Sequence, residues 1–165
     1  MTRIAIIGLG GVADRIHIPA CRAVEGLEVA GACETDEETR RRMAGKYGLT
    51  AVYEDAATLV AREKPDAVII GTPPDSHHEL CLLALEHGAH VFCEKPFMRN
   101  LEEADRVIAA AREKNLVLAV NNQYRYMPIY SRTQERLARG EFGRAYFIQC
   151  WQQMCHPPSV EKVPW

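Results

Sequence analysis

The sequence predicts an α/β fold in which a doubly wound parallel sheet carries helices on both faces. Two observations support this prediction. Short apolar runs alternate with longer segments of helical period, and runs such as Ile4–Ile7 and Val68–Ile70 are apolar at every position. Strands buried on both faces have continuous apolar sequences, and a β-α-β-α order joins parallel strands through right-handed crossovers.

The elements follow in order along the chain. We predict strands at Arg3–Gly8, Leu27–Cys33, Ala67–Gly71, His90–Cys93 and Val117–Val120, with a very short one at Ala51–Tyr53. We predict helices at about Val12–Val24, Glu37–Tyr47, Ala56–Glu63, Ser76–His87, Leu101–Lys114 and Ile129–Arg139. Asp55 and Asn100 stand at expected N-cap positions, Gly88 stands just after a helix, and Pro19 predicts a kinked or shortened first helix.

The C-terminal stretch differs from this pattern. A turn at Glu141–Arg144 leads into a long strand-like run, Ala145–Met154, that has no partner in the predicted sheet. We therefore expect a first domain over residues 1–122. Residues 123–165 are predicted to supply a helix and the opening strand of a truncated second domain.

Composition limits the functional classes. The chain has 165 residues, 47% hydrophobic and 25% charged, which is ordinary for a globular protein. A formal net charge of −2 gives no reason to expect nucleic acid or an anionic membrane as a partner. No apolar run approaches the ~20 residues of a membrane span, and the N-terminus reads as a buried strand rather than a signal peptide. We expect a cytoplasmic protein.

The cysteines agree with a reducing compartment. Cys21, Cys33, Cys81 and Cys93 occupy apolar positions of predicted elements, as buried free thiols do. His and Cys residues cluster at positions 77–81 and 155–156 without a matched second half, so no metal site is expected.

A glycine motif follows the first strand. Gly8, Leu9, Gly10, Gly11, Val12 and Ala13 lie between that strand and the first helix. In such a turn the first glycine permits a tight bend, the second admits a pyrophosphate, and a small third residue lets helix pack on strand. This context predicts dinucleotide binding by a Rossmann-type sheet, and the alternative is a purely structural turn.

Glu34 ends the second strand, where an acid binds the adenosine ribose diol. A carboxylate there repels a 2′-phosphate, so the sequence favours NAD over NADP as cofactor. Arg40, Arg41 and Arg42 follow in the next helix. We interpret them as a solvated face, with a grip on a 2′-phosphate as the alternative.

Two further loops lie at the same predicted edge. Thr72, Pro73 and Pro74 follow the fourth strand and stiffen its loop, and His77 is predicted to fix that loop or to lie near the cofactor. The alternative for His77 is a mere helix-start residue.

Glu94, Lys95 and Pro96 end the fifth strand. An ammonium group beside a nicotinamide can orient a substrate oxygen and stabilise its alkoxide character, which makes Lys95 the candidate catalytic residue. Glu94 would position the amine or hold the cofactor. The alternative is a surface ion pair of little energetic weight.

Together, the glycine motif, the Thr-Pro-Pro loop with His77 and the run Gly88–Pro96 resemble the Gfo/Idh/MocA family of glucose-fructose oxidoreductases and inositol dehydrogenases. The resemblance implies that Lys95 is the catalytic-site lysine and that Glu94 and Pro96 shape the nicotinamide pocket. It also implies that Arg125, within Asn122–Tyr126, lies near the active site. Family members are usually oligomeric and act on sugars, inositols or related polyols.

The family pattern continues beyond this sequence. Members carry a second α/β domain with an aspartate and a histidine that assist proton transfer, and this sequence ends before such a pair. Our leading hypothesis is an NAD-dependent oxidoreductase represented by its cofactor-binding portion, acting on a small-molecule sugar or polyol. The alternative is a non-catalytic NAD-binding regulatory or scaffold protein. We also expect a homo-oligomer formed through the C-terminal strand, because an uncovered apolar strand is an association template.

Overall fold

The computed structural model describes residues 1–151. Its centre is one sheet of six parallel strands in the order β3-β2-β1-β4-β5-β6. The strands are β1 (Thr2–Ile7), β2 (Leu27–Cys33), β3 (Val52–Tyr53), β4 (Ala67–Ile70), β5 (His90–Cys93) and β6 (Leu118–Val120). This order confirms the predicted doubly wound, Rossmann-type sheet.

The strand order places a crevice between β1 and β4. The chain winds outward from β1 to β3 in one direction and from β4 to β6 in the other, and β1 pairs directly with β4. In open parallel sheets, ligands bind outside the carboxyl ends of the strands where the winding direction reverses. The loops after β1 and β4 therefore meet at the position that this fold uses for ligands.

Helices connect the strands. They are α1 (Ile18–Ala23), α2 (Glu37–Tyr47), α3 (Ala56–Glu63), α4 (His77–Glu86), α5 (Leu101–Glu113) and α6 (Pro128–Ala138). A π-helical turn, Ala13–His17, leads directly into α1, and 3₁₀ turns occupy Pro74–Ser76 and Gln123–Tyr126. Pro19 lies at the start of α1, so the predicted irregularity of the first helix is confirmed as a change from π to α geometry.

Two apolar cores lie on opposite faces of the sheet. Ile4 and Ile6 of β1 belong to one core, and Ala5 and Ile7 belong to the other. Successive residues of a strand point to opposite faces, so both faces of β1 must be apolar for both layers to be buried. This is the physical reason for the continuous apolar runs in the sequence.

Local signals placed the helix boundaries well. The side chains of Asp55 and Asn100 accept hydrogen bonds from the backbone N–H groups of Thr58 and Glu103, each at 2.8 Å. Gly88 follows α4 with a φ of 79°. The three predicted boundary residues are confirmed, because each satisfies or redirects backbone groups that the helix leaves unpaired.

The chain divides into two compact units, Met1–Asn121 and a second that begins at Asn122. In the second unit, Arg136 of α6 forms an ion pair with Glu141 at 2.6 Å. The Arg136 guanidinium also lies over the ring of Phe142. Residues 145–151 form no strand ladder with the described residues, as expected for a segment without a partner in this sheet. The strand predicted at Ala145–Met154 therefore stays a prediction. Residues 152–154 lie outside the described range.

The predicted buried cysteines are confirmed. Cys21, Cys33, Cys81 and Cys93 are free thiols and are buried. Burial is the main cause that raises the pKa of Cys33, to about 11, and it keeps this thiol protonated. None of the helices within residues 1–151 combines the length and apolar character needed to cross a membrane.

Candidate active site

The first glycine of the loop after β1 is required by the protein itself. Gly8 has a φ of +89°, and a Cβ atom built on it would lie 2.9 Å from the Thr72 methyl group and 3.0 Å from backbone atoms of Gly71. Its N–H donates to the Cys33 carbonyl at 2.9 Å. Only glycine combines that backbone conformation with so close an approach. The loop after β1 is thus held against the start of the loop after β4.

The second glycine of the loop, Gly10, has open space where its side chain would be. A Cβ atom on Gly10 would meet no atom of residues 1–151 within 4 Å, and Gly10 lacks the positive φ of Gly8. The glycine is exposed, whereas Ala13 and Leu9 of the same loop are fully buried. No protein contact therefore demands the missing side chain at Gly10. Open space above a backbone turn is what a pyrophosphate requires.

A cleft of about 570 Å³ opens between the loops after β1, β2 and β4. This volume is typical of a small-molecule site. The lining residues come from these loops and from the start of α3; they include Gly8, Gly10, Glu34, Glu54, Asp55, Thr72, Pro73, Asp75, Ser76 and Leu80. The cleft thus brings together the predicted glycine loop, the predicted ribose acid and the predicted Thr-Pro loop.

Glu34 is bound to the glycine loop. Its Oε2 atom accepts a hydrogen bond from the Leu9 N–H at 2.9 Å, and its Oε1 atom accepts from the Asp36 N–H at 3.1 Å. The carboxylate is therefore fixed in direction and stays half-exposed at the cleft. Arg40 donates to the backbone carbonyls of Glu34 and Thr35 at 2.6 and 3.1 Å. Arg40 is consequently engaged with the β2 end rather than simply solvated, contrary to our interpretation of it.

The loop after β4 is also well ordered by its own hydrogen bonds. The Ser76 hydroxyl lies 2.7 Å from the Thr72 hydroxyl and 3.0 Å from the Pro73 carbonyl. Pro73 is extended, and Pro74 begins the 3₁₀ turn that leads into α4. These hydrogen bonds and the two prolines restrict the loop, in agreement with the stiff loop predicted from the sequence.

His77 lies at the first position of α4 and is fully buried. Its Nε2 atom is 2.9 Å from the Thr72 carbonyl oxygen, and its Nδ1 atom is 3.0 Å from the Pro96 carbonyl oxygen. The ring thus joins the loop after β4 to the loop after β5. The hypothesis of a loop-fixing His77 agrees with this geometry.

Glu94, Lys95 and Pro96 follow β5 directly. Glu94 is buried and Lys95 is exposed at the carboxyl edge of the sheet. Glu94 Oε1 accepts a hydrogen bond from the Asn121 amide at 2.6 Å, and Oε2 accepts from the Lys95 N–H at 3.1 Å. The peptide bond between Lys95 and Pro96 is cis. Glu94 therefore contacts the Lys95 backbone, so it acts on that residue through the main chain.

His17 is a site residue that sequence reasoning missed. It lies in the π-helical turn, is 4% exposed, and places Nε2 2.9 Å from Glu94 Oε1. Despite this distance, His17 Nε2 does not meet the geometric criteria for a hydrogen bond. The imidazole ring packs edge-on against the ring of Phe92. Burial lowers the pKa of His17, and Glu94 opposes that shift only in part. One feature of the sequence pointed to His17: it lies four residues after Ala13, in the helical segment that follows the glycine loop.

Asn121 was also missed as a site residue. It is buried, it ends the first unit, and it donates to Glu94. Arg125 is exposed and lies in the 3₁₀ turn of the second unit. Its role in the active site stays a prediction. Among residues 1–151, no group of three or more His, Cys, Asp or Glu side chains is arranged to hold a metal ion.

The strand order, the glycine loop at the β1–β4 crevice and the acid after β2 define the cofactor-binding unit of a dinucleotide-dependent oxidoreductase. Residues 2–122 match the Gfo/Idh/MocA family model, described as an oxidoreductase family with an NAD-binding Rossmann fold. The chain belongs to that family. The resemblance inferred from the sequence motifs is confirmed.

Relatives of this chain include sugar and inositol dehydrogenases. The chain is 34% identical to the D-glucoside 3-dehydrogenase of Escherichia coli K12 over 87% of its own length and 41% of that enzyme. It is 26% identical to the myo-inositol 2-dehydrogenase of Thermotoga maritima, over 98% of its length and 48% of that enzyme. The chain thus spans less than half the length of these relatives.

Solved structures show the same architecture. An oxidoreductase from Agrobacterium radiobacter, solved with NAD⁺, L-tartaric acid and magnesium, superposes with a TM-score of 0.80 at 28% identity, over 87% of this chain and 42% of that one. A 3-ketoreductase from Actinomadura kijaniata, solved with NADP, gives a TM-score of 0.77 at 29% identity, over 84% of this chain and 42% of that one. Similar proteins therefore include both NAD and NADP complexes.

Proposed function

We propose that this chain is the cofactor-binding portion of an NAD-dependent dehydrogenase that oxidises or reduces a sugar, an inositol or a related polyol. The observation that carries the proposal is the placement of exposed Lys95 beside buried Glu94 at the carboxyl end of β5. That edge of the sheet also holds the glycine loop after β1. The family and its characterised relatives support the substrate class.

The cleft suits a dinucleotide. Gly8, Leu9, Gly10, Gly11, Val12 and Ala13 would approach the pyrophosphate, and Glu34 would approach the adenosine ribose. Thr72, Pro73 and Pro74 would form the far wall, with the buried His77 holding the Thr72 carbonyl from behind it. The open space at Gly10 and the fixed carboxylate of Glu34 support this assignment. A bound nicotinamide would supply the acceptor or donor for hydride.

Lys95 would act on the substrate oxygen. An ammonium group placed beside the reacting carbon can hold that oxygen and stabilise negative charge as it develops. Glu94 would hold the Lys95 backbone in place, with Asn121 and His17 fixing its carboxylate from inside the unit. Pro96 would shape the wall of the nicotinamide pocket, and Arg125 would lie near the active site.

We infer a preference for NAD over NADP from the charge of the cleft. Four acidic residues are among those that line it: Glu34, Glu54, Asp55 and Asp75. A 2′-phosphate would add negative charge among them, whereas a ribose diol can donate hydrogen bonds to a carboxylate. Arg40 already donates to two backbone carbonyls, so a phosphate would have to compete for it.

We further infer a homo-oligomer that uses the C-terminal segment, within a reducing, cytoplasmic setting. Tyr146, Phe147, Ile148 and Trp151 are 97%, 74%, 68% and 80% exposed. Adjacent large apolar side chains on a surface favour association. The four buried free thiols support the reducing compartment.

The experiment that tests the catalytic assignment is Lys95→Ala in a polypeptide of the relatives' full length. We expect turnover to fall by roughly 10²- to 10⁴-fold while NAD affinity stays within about threefold, because the amine stabilises charge that develops in the reaction. Lys114→Ala, in the segment after α5, is the matched control and should change neither quantity. Equal losses of NAD affinity and turnover for Lys95→Ala would contradict the assignment.

A further inference from the structure

The hydrogen-bond partners that face the His77 ring nitrogens are three backbone carbonyl oxygens. Nε2 lies 2.9 Å from the Thr72 carbonyl oxygen, and Nδ1 lies 3.0 and 3.1 Å from the Pro96 and Phe97 carbonyl oxygens. A carbonyl oxygen can only accept a hydrogen bond. A neutral imidazole carries one N–H group, so its other nitrogen would set a lone pair against an oxygen about 3 Å away. An imidazolium carries two N–H groups and satisfies both sides.

We infer that His77 is held as an imidazolium and that, in this form, it clamps the loop after β4 to the loop after β5. The side chain is fully buried, so these carbonyls cannot be replaced by bulk solvent without opening the site. Pro96 and Phe97 immediately follow Lys95. His77 is therefore a positioning residue for the backbone that carries the catalytic lysine.

A second contact ties the same loops together on the outer side. Arg99, which follows Phe97 by two residues, lies 3.7 Å from the Asp75 carboxylate and donates to Glu103 at 2.8 Å. Both of its partners are anionic, and the pair with Asp75, which spans the two loops, is exposed and contributes little energy. The buried ring of His77 is consequently the stronger link between the two loops.

The charge of His77 has a neighbouring counter-group. Cys93, at the end of β5, is buried in the same core as Cys81 of α4. Interaction with Cys81 lowers the pKa of Cys93, burial raises it, interaction with His77 lowers it further, and Glu94 raises it. A positive ring at His77 and a lowered thiol pKa at Cys93 favour each other, which offsets the burial of a positive charge.

The pKa of His77 agrees with this geometry. Burial acts to lower it, but hydrogen bonds with Cys93 and with the Thr72 and Phe97 carbonyls raise it to about 9 from an ordinary 6.5. A raised folded-state pKa stabilises the protein fully below 6.5, and the stabilisation is lost as pH rises through about 9. The clamp is therefore closed at neutral pH and should release under alkaline conditions.

The test is nuclear magnetic resonance on the chain itself with ¹⁵N-labelled histidine and ¹³C-labelled carbonyls. We expect both ring nitrogens of His77 to carry protons at pH 7.5. We also expect the carbonyl signals of Thr72, Pro96 and Phe97 to shift together as pH rises through about 9. One protonated nitrogen at pH 7.5, or carbonyls of one loop that shift without the other, would overturn the inference.

Variants separate the clamp from general stability. Cys93→Ala should lower the pH at which His77 loses its proton, because the counter-group is removed. Because the clamp holds the Thr72 loop at the cleft, we expect the NAD affinity of the wild type to fall in a step as pH rises through about 9. His77→Gln should weaken NAD affinity by about tenfold at pH 7.5, the equivalent of one or two lost hydrogen bonds, and should abolish this alkaline step. His87→Gln, an exposed histidine near the end of the same helix, should leave both unchanged.

The charge state of His77 is independent of the proposed function, whereas the effect on Lys95 rests on it. If His77 proves doubly protonated but NAD does not bind, the proposed function fails and the clamp stands. If NAD binds with the same alkaline step in wild type and His77→Gln, the positioning role fails instead.

Discussion

Glu34 shows how one side chain can serve structure and specificity together. Its carboxylate accepts the Leu9 N–H of the glycine loop and also faces the cleft. Replacing it with alanine would remove the negative charge and the loop contact at the same time. A change in cofactor preference after that substitution would therefore have two explanations.

Glu34→Gln separates the two roles. The amide oxygen can still accept from the Leu9 N–H, while the charge that would repel a 2′-phosphate is gone; the amide NH₂ group gives up the hydrogen bond from the Asp36 N–H, so the contact with the glycine loop is the one that is preserved. We expect the ratio of NADP to NAD affinity to rise by roughly tenfold, about 1.4 kcal/mol, measured by titration calorimetry with both cofactors. Glu28→Gln, at the other end of β2, is the control. Tighter binding of NADP than of NAD by the unmodified chain would show that the ribose assignment is wrong.

His17 and His77 show why residue identity alone is a weak guide. Both are buried histidines near the edge of the sheet, yet their pKa values shift in opposite directions. His17 is dominated by burial, which favours the neutral ring. For His77, contact with Cys93 and with carbonyl oxygens favours the charged ring.

At the scale of elements, the loop between β1 and α1 is built from glycines that are needed for different reasons. Gly8 is required by its positive φ and by its 2.9 Å approach to Thr72. Gly10 has neither requirement within the protein. A bound pyrophosphate would supply the reason for glycine that the described residues do not.

Gly10→Ala therefore distinguishes ligand binding from folding. We expect the free energy of unfolding to stay the same or to rise by about 0.4–1 kcal/mol, because alanine restricts the unfolded chain. NAD affinity should fall at least about tenfold, because the methyl group would occupy the space left for the pyrophosphate. Urea unfolding and a cofactor titration measure the two quantities.

Gly45→Ala is the matched control for this loop. Gly45 lies inside α2, and a Cβ atom there would also meet nothing within 4 Å. Alanine should stabilise the helix by about 0.5–1 kcal/mol and leave NAD affinity unchanged. If Gly10→Ala behaves in the same way, the loop does not approach the pyrophosphate.

At the scale of the molecule, the two units contrast in burial. The first has two apolar cores around the sheet. In the second, none of the residues of α6 is buried, and residues 145–151 are exposed. The second unit thus has little apolar surface protected by its own described residues.

Removing the residues after Gly143 tests whether this surface mediates association. We expect the 165-residue chain to self-associate and the shortened chain to be more monomeric, as measured by sedimentation velocity over a range of concentrations. Tyr146→Ser with Trp151→Ser is a milder variant that should give an intermediate result. A monomeric 165-residue chain at high concentration would contradict the proposed oligomer.

The order of the strands and helices, and several of their bounds, can be predicted from the sequence alone. Leu27–Cys33, Glu37–Tyr47, Ala56–Glu63 and His90–Cys93 were predicted without error. Apolar periodicity, N-cap side chains and positive-φ glycines are local causes, so they can be read within a few residues. The loops that form the cleft were predicted for the same reason, because each follows a recognisable strand.

The contacts between side chains of those loops, in contrast, depend on the tertiary structure. His17 and Glu94 are 77 positions apart in sequence, and they approach to 2.9 Å because a π-helical turn and the end of β5 converge at one edge of the sheet. His77 reaches Pro96 for the same reason. The strand predicted at Ala145–Met154 stays a prediction, because a strand, unlike a capped helix, forms only where another strand supplies its hydrogen bonds. Local structure can thus be predicted from nearby residues in the sequence, whereas contacts between distant residues depend on how the elements pack.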